Sequence, residues 1–101
     1  MDKWQYIYDN VNGSTNMEED FFLAKLASKV PDGGLIVDIG TADGKSAFSL
    51  AMGASPTVKI ITIDPIYNER FLYHRKQLEF DKKIEYVVRA SKDMEWDRPI
   101  D

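Results

Sequence analysis

Short, continuously apolar runs alternate along this chain with stretches in which apolar residues recur every three or four positions, and that change of period predicts alternating strands and helices. Met1 to Asn16 reads as an aromatic-bearing arm that ends in the turn-rich Asn12-Gly13-Ser14-Thr15-Asn16. Trp4, Tyr6 and Tyr8 alternate along it and are expected to dock on the domain surface. From Met17 to Val30, Phe22, Leu23, Leu26, Ala27 and Val30 share one helical face and Lys25 and Lys29 point away, as in an amphipathic surface helix. Pro31-Asp32-Gly33-Gly34 stops it. Leu35 to Ile39 is a strand, apolar except for Asp38, which suits the middle of a parallel sheet. A glycine turn, Gly40 to Gly44, leads into a helix over about Lys45 to Met52, ended by Gly53 and Ser55-Pro56. Val58 to Ile63 is a second strand, closed by Asp64-Pro65; Asn68 caps a helix of Glu69 to Phe80; Ile84 to Val88 is a third strand. Strands alternating with helices imply an α/β fold, a Rossmann-like doubly wound parallel sheet with right-handed crossovers.

Length and charge narrow this picture. The chain has 101 residues, enough for one domain, which places a single α/β unit at 17–101 behind the arm at 1–16. Hydrophobic residues make up 44% of it, so it can offset the entropy of ordering and should fold. The net charge is −4 and the basic residues are scattered, which argues against a nucleic-acid binder. No apolar run approaches the roughly 20 residues that cross a bilayer, and Met1 to Val11 lacks the core of a secretory signal, so no membrane partner and a cytoplasmic location are expected. With no cysteine and one histidine, thiolate chemistry and multi-histidine metal sites are excluded, and no metal is expected.

The candidate chemistry lies in Asp38-Ile39-Gly40-Thr41-Ala42-Asp43-Gly44-Lys45-Ser46, at the carboxyl end of the first strand, where such sheets bind ligands. An ordinary strand-to-helix turn is the plain alternative. A phosphate-binding loop needs four residues between its first glycine and Gly-Lys-Ser, and only Thr41, Ala42 and Asp43 stand there. A dinucleotide fingerprint needs glycine where Ala42 and Lys45 stand. Asp38 and Asp43 place two carboxylates beside the turn and repel a diphosphate, with Lys45 alone to compensate. A ligand carrying positive charge, such as S-adenosylmethionine, fits better.

Leu35 to Ser46 resembles the first motif of the class I S-adenosylmethionine-dependent methyltransferases, in particular their O-methyltransferase-like branch, and the likeness runs from about Glu18 to Asp101. The resemblance implies that Asp38, Gly40 and Gly44 border the methionine part of the cofactor, with Ala42 in place of the usual middle glycine and with Thr41 and Ser46 in the same cofactor-binding segment. Ile61-Thr62-Ile63-Asp64-Pro65 is similar to the second motif, whose acid, here Asp64, accepts from the ribose hydroxyls; Ile66 or Tyr67 then lies against the adenine. Arg89-Ala90-Ser91 resembles the third motif, with Ser91 near the adenine edge. Elsewhere the plain reading prevails. His74 is a structural imidazole between Phe71 and Leu78; Arg70, Arg75, Lys76, Lys82 and Lys83 form a solvated face; Glu18, Glu19 and Asp20 serve a helix start.

At about 30 residues per strand-and-helix unit the chain holds three strands, whereas the resemblance calls for more, with an acidic motif at the end of the fourth. The sequence thus reads as the fold cut short after its third strand, presenting half of a cofactor site. The expected partners are a small-molecule methyl acceptor and a second copy or a completing chain. The expected activity is methyl transfer to oxygen of a small molecule or sugar; no residue identifies itself as general base. A non-catalytic assembly module and a nucleotide or dinucleotide binder are the alternatives.

Overall fold

The computed structural model describes residues 1–90 and Lys92. Four helices and three strands follow one another as α1 (Lys3–Asn10), α2 (Met17–Ala27), β1 (Leu35–Ile39), α3 (Lys45–Gly53), β2 (Lys59–Asp64), α4 (Glu69–Gln77) and β3 (Ile84–Val88). The strands form one open parallel sheet in the order β1-β2-β3, with Ile36 beside Ile60 and Ile60 beside Ile84. These three isoleucines enter one buried cluster with Ile7, Ala27, Phe48, Phe71 and Leu78, so all four helices share a core on that face. Each fully buried phenylalanine there contributes roughly 1.5–3 kcal/mol. Strand order advancing in one direction is the half-winding expected of a Rossmann-like sheet. On the other face Val37, Ile61 and Val87 are half-buried, and Ile39 is exposed.

The N-terminal segment departs from the expected arm. It is a helix, capped by Asp2 through the Gln5 amide, and it buries Ile7 and Val11 in the core. Trp4, Ile7 and Val11 carry helical spacing, and that pattern prevails over the alternation of aromatics; Trp4 packs edge-on against Phe21. Helix α2 also presents a different face from the expected one. Phe22 and Leu26 are exposed, whereas Asp20 and Ala27 are buried. The cause is a close approach to α3: a Cβ on Gly53 would lie 1.8 Å from the Ala24 carbonyl oxygen, so α2 must turn its small residues inward. The start of α2 is secured by a reciprocal capping box between Asn16 and Glu19. No helix among the described residues is long and apolar enough to cross a membrane.

Candidate functional site

Strand β1 delivers Asp38 into the interior just before the glycine bend. Its Oδ2 accepts from Thr62 Oγ1 at 2.7 Å and its Oδ1 from Ser46 Oγ at 2.9 Å, and the Thr41 and Thr62 hydroxyls lie 2.7 Å apart. This network ties the ends of β1 and β2 to the first turn of α3. Burial pushes the Asp38 carboxyl above its ordinary value and the charge of Asp64 adds to this, while the hydrogen bonds from Thr62 and Ser46 oppose it. Thr62 was not singled out by the sequence. The signal was present, since a hydroxyl within Ile60-Ile61-Thr62-Ile63 requires a buried partner.

Backbone conformation defines the bend. Gly40, Ala42 and Gly44 have φ of +87°, +47° and +104°, and their alternate amides are all engaged internally. Gly40 N donates to Ile63 O at 2.7 Å, Ala42 N to Asp64 Oδ2 at 3.2 Å and Gly44 N to Thr41 O at 2.8 Å. A phosphate cradle needs such amides free and a lysine facing it. Lys45 is turned away instead, its Nζ donating to Thr15 O at 2.6 Å and lying 3.6 Å from Asp20. The two glycines also differ. A Cβ on Gly40 would meet nothing within 4 Å, whereas one on Gly44 would lie 2.5 Å from the Phe71 ring. Gly40 therefore keeps open the space above the bend, and Gly44 faces the core.

Asp64 ends β2 against the bend. While Oδ2 accepts from Ala42, Oδ1 accepts from Ile66 N at 2.8 Å, so one carboxylate joins the glycine bend to the next loop. Ile66 and Tyr67 in that loop are exposed. Tyr86 of β3 braces it, with its hydroxyl accepting from Asn68 N at 2.9 Å and donating to Ile66 O at 3.3 Å, a role only the tertiary structure reveals.

Asp43 does not face the bend as a free carboxylate: it is buried, accepts from Asn68 Nδ2 at 2.9 Å and pairs with Arg70 Nε at 3.0 Å. Burial alone would raise its pKa, but those bonds and the Arg70 charge prevail and lower it. The carboxylate that lies against the bend is Asp64, with Asp38 behind it.

Thus Asp38, Gly40, Thr41, Ala42, Ser46 and Asp64 come together at the carboxyl ends of β1 and β2, Gly44 underlies them, and Ser91 lies outside the described residues. A hollow of about 70 Å³ sits over Gly40, Thr41 and Ala42, with Asn12, Gly13, Ser14 and Thr15 as its far wall. A larger hollow of about 220 Å³, between α1 and α2, is lined by Trp4, Tyr8, Met17 and Phe21 and holds none of these groups. His74 is buried, 2.8 Å from the Tyr6 hydroxyl through Nδ1, and its burial lowers its pKa. It is a strut between α4 and α1, 68 residues apart in sequence.

No protein-family model matches the sequence, and no curated protein matches it. Solved structures do match in fold. The O-methyltransferase TomG of Streptomyces achromogenes, involved in tomaymycin synthesis and solved in complex with S-adenosylmethionine, superposes with a TM-score of 0.74 at 18% identity, over 100% of this chain and 51% of its own. The O-methyltransferase of Bacillus cereus, in complex with S-adenosylhomocysteine, gives 0.67 at 18% identity, over 88% and 44%. The C-terminal domain of the precorrin-6Y C5,15-methyltransferase of Rhodobacter capsulatus gives 0.61 at 17% identity, over 85% and 48%. The chain spans about half the length of the structures it superposes on. Over that half the chain shares the fold of these methyltransferases, with three parallel strands in one sheet and a glycine bend after the first.

Proposed function

We propose that this chain forms the cofactor-binding half of an S-adenosylmethionine-dependent methyltransferase that acts on an oxygen of a small molecule or sugar. The observation that carries the reading is the placement of Asp64 between the open bend at Gly40 and the exposed Ile66-Tyr67 loop. A nucleoside with an amino-acid tail needs these three in that order: room for the tail, an acceptor for a diol, and an apolar face for a purine. A second point in favour is that the amides of Gly40, Ala42 and Gly44 are engaged internally and the Lys45 ammonium faces Asp20, which leaves fewer donors for a diphosphate.

When bound, the cofactor supplies a methyl group activated by its sulfonium. The chain's own part is binding and orientation. Gly40 admits the backbone-close end of the ligand, Asp64 accepts from the ribose hydroxyls, and Ile66 and Tyr67 pack on the base. Asp38, held by Thr62 and Ser46, fixes the bend. The methyl acceptor and its base belong to a second wall at the free edge of β1, contributed by a further strand or a partner chain. Two of the structural relatives named above are O-methyltransferases and the third is a C5,15-methyltransferase, which supports an acceptor site lying outside the half they share with this chain.

Calorimetric titration of the chain with S-adenosylhomocysteine, NAD and ATP tests the reading. S-adenosylhomocysteine is expected to bind at least about tenfold more tightly than either of the others. Tighter binding of ATP or NAD would show that the bend serves an anionic ligand, and no binding of any of them would leave only a fold without its function.

A further inference from the structure

The wall that faces the glycine bend is not part of the sheet. It is the turn at Asn12 to Thr15, between α1 and α2, and Lys45 ties it to the helix that follows the bend. Lys45, in the first turn of α3, lays its stem beneath Gly13, where an added Cβ would lie 2.8 Å from Lys45 Cβ. Its ammonium donates to Thr15 O at 2.6 Å and faces Asp20 at 3.6 Å, while the Thr15 hydroxyl donates to Asp20 Oδ1 at 2.6 Å. Both charged side chains are largely withdrawn from solvent, at 14% and 5% exposure, which strengthens the pair relative to a surface contact. The Asn12 and Ser14 side chains have no hydrogen-bond partner among the described residues, and both line the hollow.

We infer that Lys45 and Asp20 form a latch that holds Asn12–Thr15 as a movable wall over Gly40, Thr41 and Ala42, and that a ligand of this site enters by opening it and is retained by its closing. The size of the hollow favours the movement: about 70 Å³ holds a few heavy atoms, fewer than an amino-acid tail with its sulfur, the part of the ligand that lies over Gly40. Lys45 is thus a positioning residue, acting on the ligand only through the wall, because its charge is already met by Asp20. The inference rests on the methyltransferase reading for the identity of the ligand, but not for the latch itself.

Amide relaxation measured by NMR on the full chain, without ligand and with S-adenosylhomocysteine, separates the two. In Lys45→Met and Asp20→Asn the order parameters of residues 12–15 are expected to fall from the rigid-backbone range of about 0.85 to below about 0.6, while those of β1 and β2 stay unchanged. Gly13→Ala lifts the turn off the Lys45 stem without changing charge and serves where a buried-pair variant fails to fold. S-adenosylhomocysteine should dissociate several-fold faster from each variant than from the wild type, with the double variant no worse than either single one. Unchanged order parameters at 12–15 in all variants would overturn the latch. So would a ligand that binds the wild type and leaves all variants at the same rate. If Asp20→Asn tightened binding while Lys45→Met weakened it, Lys45 would be a direct ligand contact and the latch would again be wrong. Absence of S-adenosylhomocysteine binding to the wild type would count against the functional reading and against the retention role, leaving the holding of the turn to be decided by relaxation alone.

Discussion

Replacing Gly44 by alanine is expected to remove most of the protein's stability, although the substitution adds a single methyl group. Gly44 has φ +104°, which costs a residue with a Cβ about 1–3 kcal/mol. The new Cβ would also lie 2.5 Å from Phe71 and 2.7 Å from Phe48, two fully buried rings stacked 5.3 Å apart. Overpacking of that kind adds about 1–3 kcal/mol. A domain of this size has a net stability at the low end of roughly 5–15 kcal/mol, so the sum removes most of it. Gly40→Ala is the control. Its φ of +87° carries the backbone cost, but its Cβ would enter open space, so this variant should remain folded with a lowered urea midpoint. Urea titration followed by circular dichroism checks both. Equal effects at the two positions would mean that Gly44 does not face the core as described.

The largest expected effect on binding is at Asp64. Asp64→Ala should weaken S-adenosylhomocysteine about a hundredfold or more. Each hydrogen bond to a charged acceptor contributes about 1.5–3 kcal/mol, and the diol makes two. The variant also releases the amides of Ala42 and Ile66, so that the bend and the following loop lose their common anchor. Asp64→Asn retains one acceptor oxygen, turns its amide nitrogen toward either Ala42 N or Ile66 N, and should weaken binding about tenfold. Calorimetry on both variants, with thermal unfolding to confirm folding, is the check. Binding unchanged in Asp64→Ala would remove this residue from the site.

Much of this arrangement was legible before any coordinates, and the reason is locality. The bounds of β1 and β3, the cap at Asn68 and the start of α3 depend on short-range signals such as β-branched runs, glycines and an Asx cap, and the structure matches them. The register of α2 was not legible. Its inward face is chosen by Ala24 against Gly53 and by Asp20 against Lys45, contacts that no periodicity within the helix encodes. The reading of Met1 to Asn16 as an arm gave weight to alternating aromatics over the spacing of Trp4, Ile7 and Val11. Within the site, the motif residues assembled as a group, but their division of labour came from the fold. Asp43 went to Arg70, Lys45 to Thr15 and Asp20, and Gly44 to the core, while Tyr86 and Thr62 emerged as supports. Pairings across 18 or more residues decide such roles, and a single sequence does not display them.

In the proposed role the open bend beyond Ile39, with Asp64 beside it, takes a nucleoside that carries an amino-acid tail on its sulfur. Its most direct test is an amide-resolved NMR titration of the full chain with S-adenosylhomocysteine. Saturable shifts are expected at Gly40, Thr41, Ala42, Ile66 and Tyr67, with Trp4, Tyr8 and Phe21 in the hollow between α1 and α2 unmoved. Shifts confined to that second hollow, or a bend that stays silent at saturation, would contradict it.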